Sequence, residues 1–182
     1  TVGPIVISEI MYHPDWPPNS PFNNDDFEYI ELLNISDAAI TLENNGVPWR
    51  FTQGIDFVFP SSTRLNPGGR VIVAANPKAF SWRYPSVASN RIFGPFENGT
   101  GLNNGGESVE LSMPGDMEGG IQYYIRADYI RYSDGNHDGD YDGHDPWPAD
   151  TDGKGKSLTR PIPTRYGNDP VNWQASPPSP GF

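Results

Sequence analysis

Short runs of β-branched and aromatic residues, cut apart at close intervals by Gly, Pro, Asn and Asp, restrict this chain's fold more than any other feature. The run Ile5-Val-Ile-Ser-Glu-Ile-Met11 is seven residues of largely β-branched character, which predicts a strand. Glu28-Tyr-Ile-Glu-Leu-Leu-Asn-Ile35 reads as a second strand, closed by a Ser36-Asp37 turn. Further strands are predicted at 40–42, 49–51, 56–59 and 70–75, the last entered through the Asn66-Pro-Gly-Gly69 turn. Between 107 and 113, Ser108, Glu110 and Ser112 alternate with Val109, Leu111 and Met113, the period of a half-buried strand. The run 122–132 should pair with it across a turn at 114–120, and one helical turn is predicted near 78–84.

Eight or nine such strands, with no long amphipathic helix and no internal repeat, predict an all-β sandwich. Gly and Pro number 20 each, yet 35% of the chain is hydrophobic, so frequent turns leave enough apolar residues for a core. The sandwich is assigned to 1–160. Residues 161–182 are expected to run extended over it, pinned by Trp173, with Pro177-Pro-Ser-Pro180 opening a linker. No window approaches the roughly eighteen apolar residues of a spanning helix, so no membrane insertion is expected. The absence of cysteine excludes disulfides and thiolate metal sites. The chain opens at Thr1 without a charged-then-apolar leader, as expected of a mature chain or of a segment of a longer protein.

The formal charge is −11, and most of it is local. Seven Asp and no Lys or Arg lie between Asp134 and Asp152; elsewhere 16 acidic residues face 12 basic ones. An acidic chain without a basic stripe repels a phosphate backbone, so nucleic acid is not an expected partner.

Within that stretch, Asp134-Gly-Asn-His-Asp-Gly-Asp-Tyr-Asp-Gly-His-Asp145 fits a calcium-loop template. Asp134, Asn136 and Asp138 would be the first ligands, Gly139 the sharp turn, Asp140 a backbone-carbonyl ligand and Asp145 the closing carboxylate. A second register uses Asp138, Asp140 and Asp142, with Asp150 closing. Crowded carboxylates repel one another unless a cation or water screens them, which is the physical case for Ca2+. The competing reading is a solvated acidic turn. His137 and His144 share the stretch, but their spacing, without cysteine partners, does not define a tetrahedral zinc site.

Catalytic candidates are few. Glu28 and Glu31 are three apart on a strand and point to opposite faces, so they cannot flank one substrate. Glu9 with Glu31, on neighbouring strands, is the remaining carboxylate pair for a hydrolase. No nucleophile elbow, phosphate loop or dinucleotide fingerprint is present. Among the aromatics, Trp49 and Phe51 should fill the core and Trp147 should brace the acidic stretch. Trp16, Trp82 and Tyr84 fall in loops, where they either stack on a sugar ring or pack beneath their own loops.

Four stretches, in order, carry a family resemblance: Ile7-Ser-Glu-Ile-Met-Tyr-His-Pro14; Glu28-Tyr-Ile-Glu-Leu-Leu-Asn-Ile35; Leu65-Asn-Pro-Gly-Gly-Arg-Val-Ile-Val-Ala74; and a C-terminal set. That set comprises Asp128-Tyr-Ile-Arg-Tyr132, Pro146-Trp-Pro148, Asp152-Gly-Lys-Gly-Lys-Ser-Leu158 and Trp173. Together they resemble the lamin-tail domain family, bacterial type. The resemblance implies an immunoglobulin-like sandwich without catalysis, appended to large secreted or surface proteins. It departs from the pattern in the long Pro/Asn loop after Tyr12 and in the acidic insertion before Pro146, where particular function would reside.

The expected function is therefore a non-catalytic interaction or scaffolding module, extracellular or on the cell surface, with calcium ordering its acidic loop. Its expected partner is a protein or a surface polysaccharide, and the chain itself is expected to be monomeric. The alternative is a carbohydrate-binding module built on Trp16, Trp82 and Tyr84.

Overall fold

The computed structural model describes residues 2–182. In chain order its elements are β1 (Ile5–Met11), β2 (Tyr29–Asn34), β3 (Ile40–Thr41), β4 (Glu43–Asn44), β5 (Val47–Pro48), β6 (Arg50–Gln53), β7 (Phe57–Val58) and β8 (Arg64–Leu65). They continue with β9 (Arg70–Ala74), α1 (Pro77–Arg83), β10 (Ile92–Phe93), β11 (Gly106–Glu118), β12 (Ile121–Ser133), β13 (Ser157–Thr159) and β14 (Gln174–Ser176). Six of the strands are two-residue pairings, so eight carry the fold.

Two sheets make the sandwich, one in the order β10-β9-β2-β1-β13-β14 and one in the order β12-β11-β6-β7. Ile5, Ile7, Ile30, Leu32, Val71 and Val73 from the first meet Phe51, Phe57, Val109, Leu111, Ile130 and Tyr132 from the second in one buried core. Trp49 and Phe51 lie in it as their strand predicted.

β1 and β2 are buried along their whole length, because the first sheet is covered on both faces. On its outer face Met11, Tyr29, Ile72 and Ala74 pack beneath Phe80 of α1. That helix begins one residue earlier than predicted: Asn76 caps it by accepting from the Lys78 and Ala79 amides, and Pro77 presets its first turn.

One prediction is corrected. The turn expected at 114–120 contracts to Gly119-Gly120, both at positive φ, and β11 continues through Pro114. Proline is tolerated there because its carbonyl faces away from β12, accepting from Asn44 Nδ2 at 2.9 Å, so its missing N–H is not needed by the β11–β12 ladder. Two short strands complete the first sheet: β13, inside the segment assigned to the sandwich, pairs with β1, and β14, within the extended C-terminal segment, pairs with β13. Three residues are too few to show a period, so neither strand was visible in the sequence.

Candidate functional site

The acidic stretch leaves the end of β12 and returns to β13. Asp145 organises it from a buried position. Its carboxylate accepts from the Ser133 hydroxyl at 2.5 Å, the Trp147 N–H at 3.0 Å and the His137 N–H at 3.2 Å. Burial opposes ionisation of Asp145, but those donors outweigh it and hold the carboxyl below its usual range. Asp134 accepts from the Asn136 N–H at 2.8 Å and faces His137 Nδ1 at 2.9 Å.

Among the described residues, one group of three potential metal ligands converges: Asp134, His137 and Asp145, whose ligand atoms lie within 4.8 Å of one another. Two members of the first calcium register are thus together, joined by a histidine that the register does not use. Asn136, Asp138 and Asp140 remain outside the group. Asp138 Oδ1 accepts the Asp145 N–H at 2.8 Å, with His144 3.8 Å from the same oxygen. In the second register Asp150 is exposed and paired with Lys154 and Lys156, at 3.2 and 2.9 Å.

The far end of the loop is latched to the residues that follow β1. Tyr12 Oη meets Thr151 Oγ1 at 2.7 Å, and His13 Nδ1 meets Asp152 Oδ1 at 2.5 Å. Trp147 is buried against the main core and braces the loop as expected. Beside the loop opens a polar cleft of about 620 Å3, lined by Glu107, Arg131, His137, Asp140, Tyr141 and Asn168 among others. Arg131 and Asn168 gave no sequence signal, since they meet only because the C-terminal segment crosses β12. Glu107 was visible only as a polar strand residue.

The carboxylates considered for catalysis are all buried. Glu9 and Glu31 are direct cross-strand partners on β1 and β2. Glu9 accepts from Tyr29 Oη at 2.6 Å, Ser157 Oγ at 2.5 Å and the Ser179 N–H at 3.0 Å. Glu31 accepts from Ser8 Oγ at 2.6 Å, Arg70 at 2.7 Å and the Gly181 N–H at 2.7 Å. Burial raises the Glu31 carboxyl against the pull of these donors. A cavity of about 260 Å3 adjoins the pair, and the segment carrying Ser179 and Phe182 forms part of its wall.

Glu28 lies elsewhere, just before β2, and accepts the Leu102 N–H at 2.8 Å. Burial pushes its carboxyl up to about 8.

The loop aromatics divide. Trp16 and Trp82 are exposed; Trp16 donates to the Phe22 carbonyl, and Trp82 lies beside Phe22 and Phe27 at 6.4 and 6.0 Å. Tyr84 instead turns inward onto Tyr29 and Phe80. Among the described residues its buried hydroxyl has no hydrogen-bond partner, and burial pushes it up to about 12. Of the three aromatics considered for a sugar site, Trp16 and Trp82 are exposed and Tyr84 packs inward.

The sequence profile of the Lamin Tail Domain family matches residues 1–125, more than two thirds of the chain. The chain belongs to this family. Its two-sheet sandwich is the immunoglobulin-like fold expected of a lamin tail domain. No curated protein and no solved structure matches the chain. The lamin-tail match ends within β12, so the acidic loop, β13 and β14 lie beyond it, as does the C-terminal set of motifs.

Proposed function

We propose that this lamin tail domain is a non-catalytic protein-interaction module of a secreted or cell-surface protein, engaging its partner at the acidic loop and the adjoining cleft. The observation that carries the proposal is the convergence of Asp134 and Asp145 on His137, which lines the adjoining polar cleft. A loop pinned at both ends beside a polar concavity is a suitable recognition surface. Calcium, in this reading, draws further loop oxygens towards Asp134 and Asp145, and a weak loop-built site suits extracellular calcium levels.

Two arguments oppose hydrolysis. Glu9 and Glu31 have their oxygens committed to donors, and both side chains are buried, with the C-terminal segment walling the small cavity beside them. Melting curves with 2 mM calcium (about that of extracellular fluid) and with chelator test the metal: a rise in Tm supports it and an unchanged Tm refutes it. Pull-down from a surface-protein fraction by wild type, but not by Arg131→Glu or Tyr141→Ala, tests the cleft. Equal capture by all three would overturn it.

A second reading rests on Trp16 and Trp82, whose exposed rings suit a sugar face. Glycan-array binding abolished by Trp16→Ala and Trp82→Ala would favour it. Absence of glycan binding would remove it.

A further inference from the structure

The second sheet ends on β12, and the chain covers only part of that edge. Over residues 127–131 it is closed: the Asp128 carboxylate accepts the Ile7 N–H at 2.8 Å, and the Arg131 N–H donates to Asn168 Oδ1 at 2.7 Å. Gly3 presses against the Ala127 carbonyl, where a Cβ would approach within 2.8 Å. Beyond the bulge at Ala127 the cover stops. There Ile121, Tyr123 and Ile125 are 59%, 52% and 51% exposed, with Met117 at 64% on the paired strand. Natural sheet edges are usually blunted by charge or proline, and residues 121–125 carry neither.

The free hydrogen-bonding groups of this segment can be assigned. Pro114 is the register partner of Tyr124, and the Pro114 carbonyl is held by Asn44 on the side away from β12. Amide and carbonyl of one strand residue point to the same side, so Pro114 and Tyr124 form a non-hydrogen-bonded pair. The N–H and C=O of Tyr124 therefore face outward, and those of Gln122, two residues away, do the same.

We propose that this edge pairs, antiparallel, with the same edge of a second copy of the chain, about a two-fold axis through Tyr123. In that register Gln122 of each copy faces Tyr124 of the other, and the two outward-facing residues exchange both N–H···O bonds. Ile121 faces Ile125 and Tyr123 faces itself. The run Ile121-Gln-Tyr-Tyr-Ile125 is palindromic in its outer-face positions, so six large side chains meet on one face.

Other registers are worse. A one-residue shift sets outward groups against inward ones. A two-residue shift carries Ile125 onto the turn residue Gly119, or Ile121 onto the covered Ala127. No like charges oppose one another in the chosen register, because Arg126 faces Gly120 and is held by Glu110 at 2.5 Å within its own chain. The paired segment is short, so the interface lies at the small end of specific interfaces and association depends on concentration. This surface is separate from the acidic loop, and it departs from the monomer expected from sequence.

Sedimentation of the full chain over a concentration series is the first test, with mass expected to rise towards twice the monomer. Tyr123→Lys sets two ammonium groups face to face on the axis and should hold the chain monomeric throughout. The chain has no cysteine, so single thiols can be placed cleanly. Facing residues of a non-hydrogen-bonded pair lie close enough for a disulfide. Tyr123→Cys should therefore cross-link at least tenfold faster than the exposed control Val171→Cys. A chain monomeric at every concentration would leave the edge to another protein's strand and overturn the proposal. Self-association that survives Tyr123→Lys, or equal cross-linking at both positions, would also overturn it.

Discussion

Arg160 and Asp128 form a buried ion pair, 2.7 Å long, that fastens β12 of one sheet to β1 of the other. Asp128 also accepts the Ile7 N–H, and Arg160 donates to the Ile7 carbonyl at 3.1 Å. One strand residue is thus gripped on both its polar groups across the sandwich.

Removing one partner leaves the other charged and unpaired in the interior. Asp128→Ala should therefore cost about 3–5 kcal/mol in chemical denaturation. Asp128→Asn keeps an acceptor for the Ile7 N–H and should cost less. A loss below about 1 kcal/mol for the alanine variant would show that the pair does not hold the sheets.

Glu28 makes stability depend on pH. Its carboxyl ionises near 4.5 in the unfolded chain and at about 8 in the folded one. Between those values the folded state holds a proton that the unfolded state has released, so this group's contribution falls as pH rises. Glu28→Gln removes the slope while keeping an acceptor for the Leu102 N–H. The variant should gain on wild type by roughly 3–5 kcal/mol between pH 4 and 9. Parallel stability curves for the two proteins would contradict this.

Asp145 acts in the opposite direction. Its lowered folded value means that its contribution is present above the ordinary carboxylate range and is lost as pH falls through the folded value. Asp145→Ala strands the Ser133 hydroxyl and the two amides, with an expected loss of about 1–3 kcal/mol. Limited proteolysis should then cut first between 134 and 147, with or without calcium. Unchanged protection would mean that Asp145 does not order the loop.

The C-terminal segment seals the Glu9–Glu31 pair through the Ser179 and Gly181 amides. Deleting 177–182 should lower stability by about 2–4 kcal/mol, since two buried carboxylates each lose a donor. A truncated chain that melts with wild type would show the segment to be a passive cover.

Much of the sandwich was legible in the sequence because its long strands carry local signals. β1, β2 and β9 are apolar runs bounded by turn residues, and β11 alternates at period 2. The extension of β11 through Pro114 was not legible, since it depends on which way the proline faces within a pair. The acidic loop could be located from composition, but the neighbours of its carboxylates could not. The template placed Asp134 and Asp145 among five ligands, and the fold brings those two to His137 instead.

The sequence alone determined that this chain forms short strands, where most of them lie, and that its charge collects in one loop. These follow from side-chain periodicity and turn chemistry, which act over a few residues. Tertiary structure alone decided that Asp128 meets Arg160, that Glu9 and Glu31 are closed off by Ser179 and Gly181, and that β12 is left half uncovered. Each joins residues far apart in the chain, and no local preference encodes which distant strand or tail will arrive beside a given side chain.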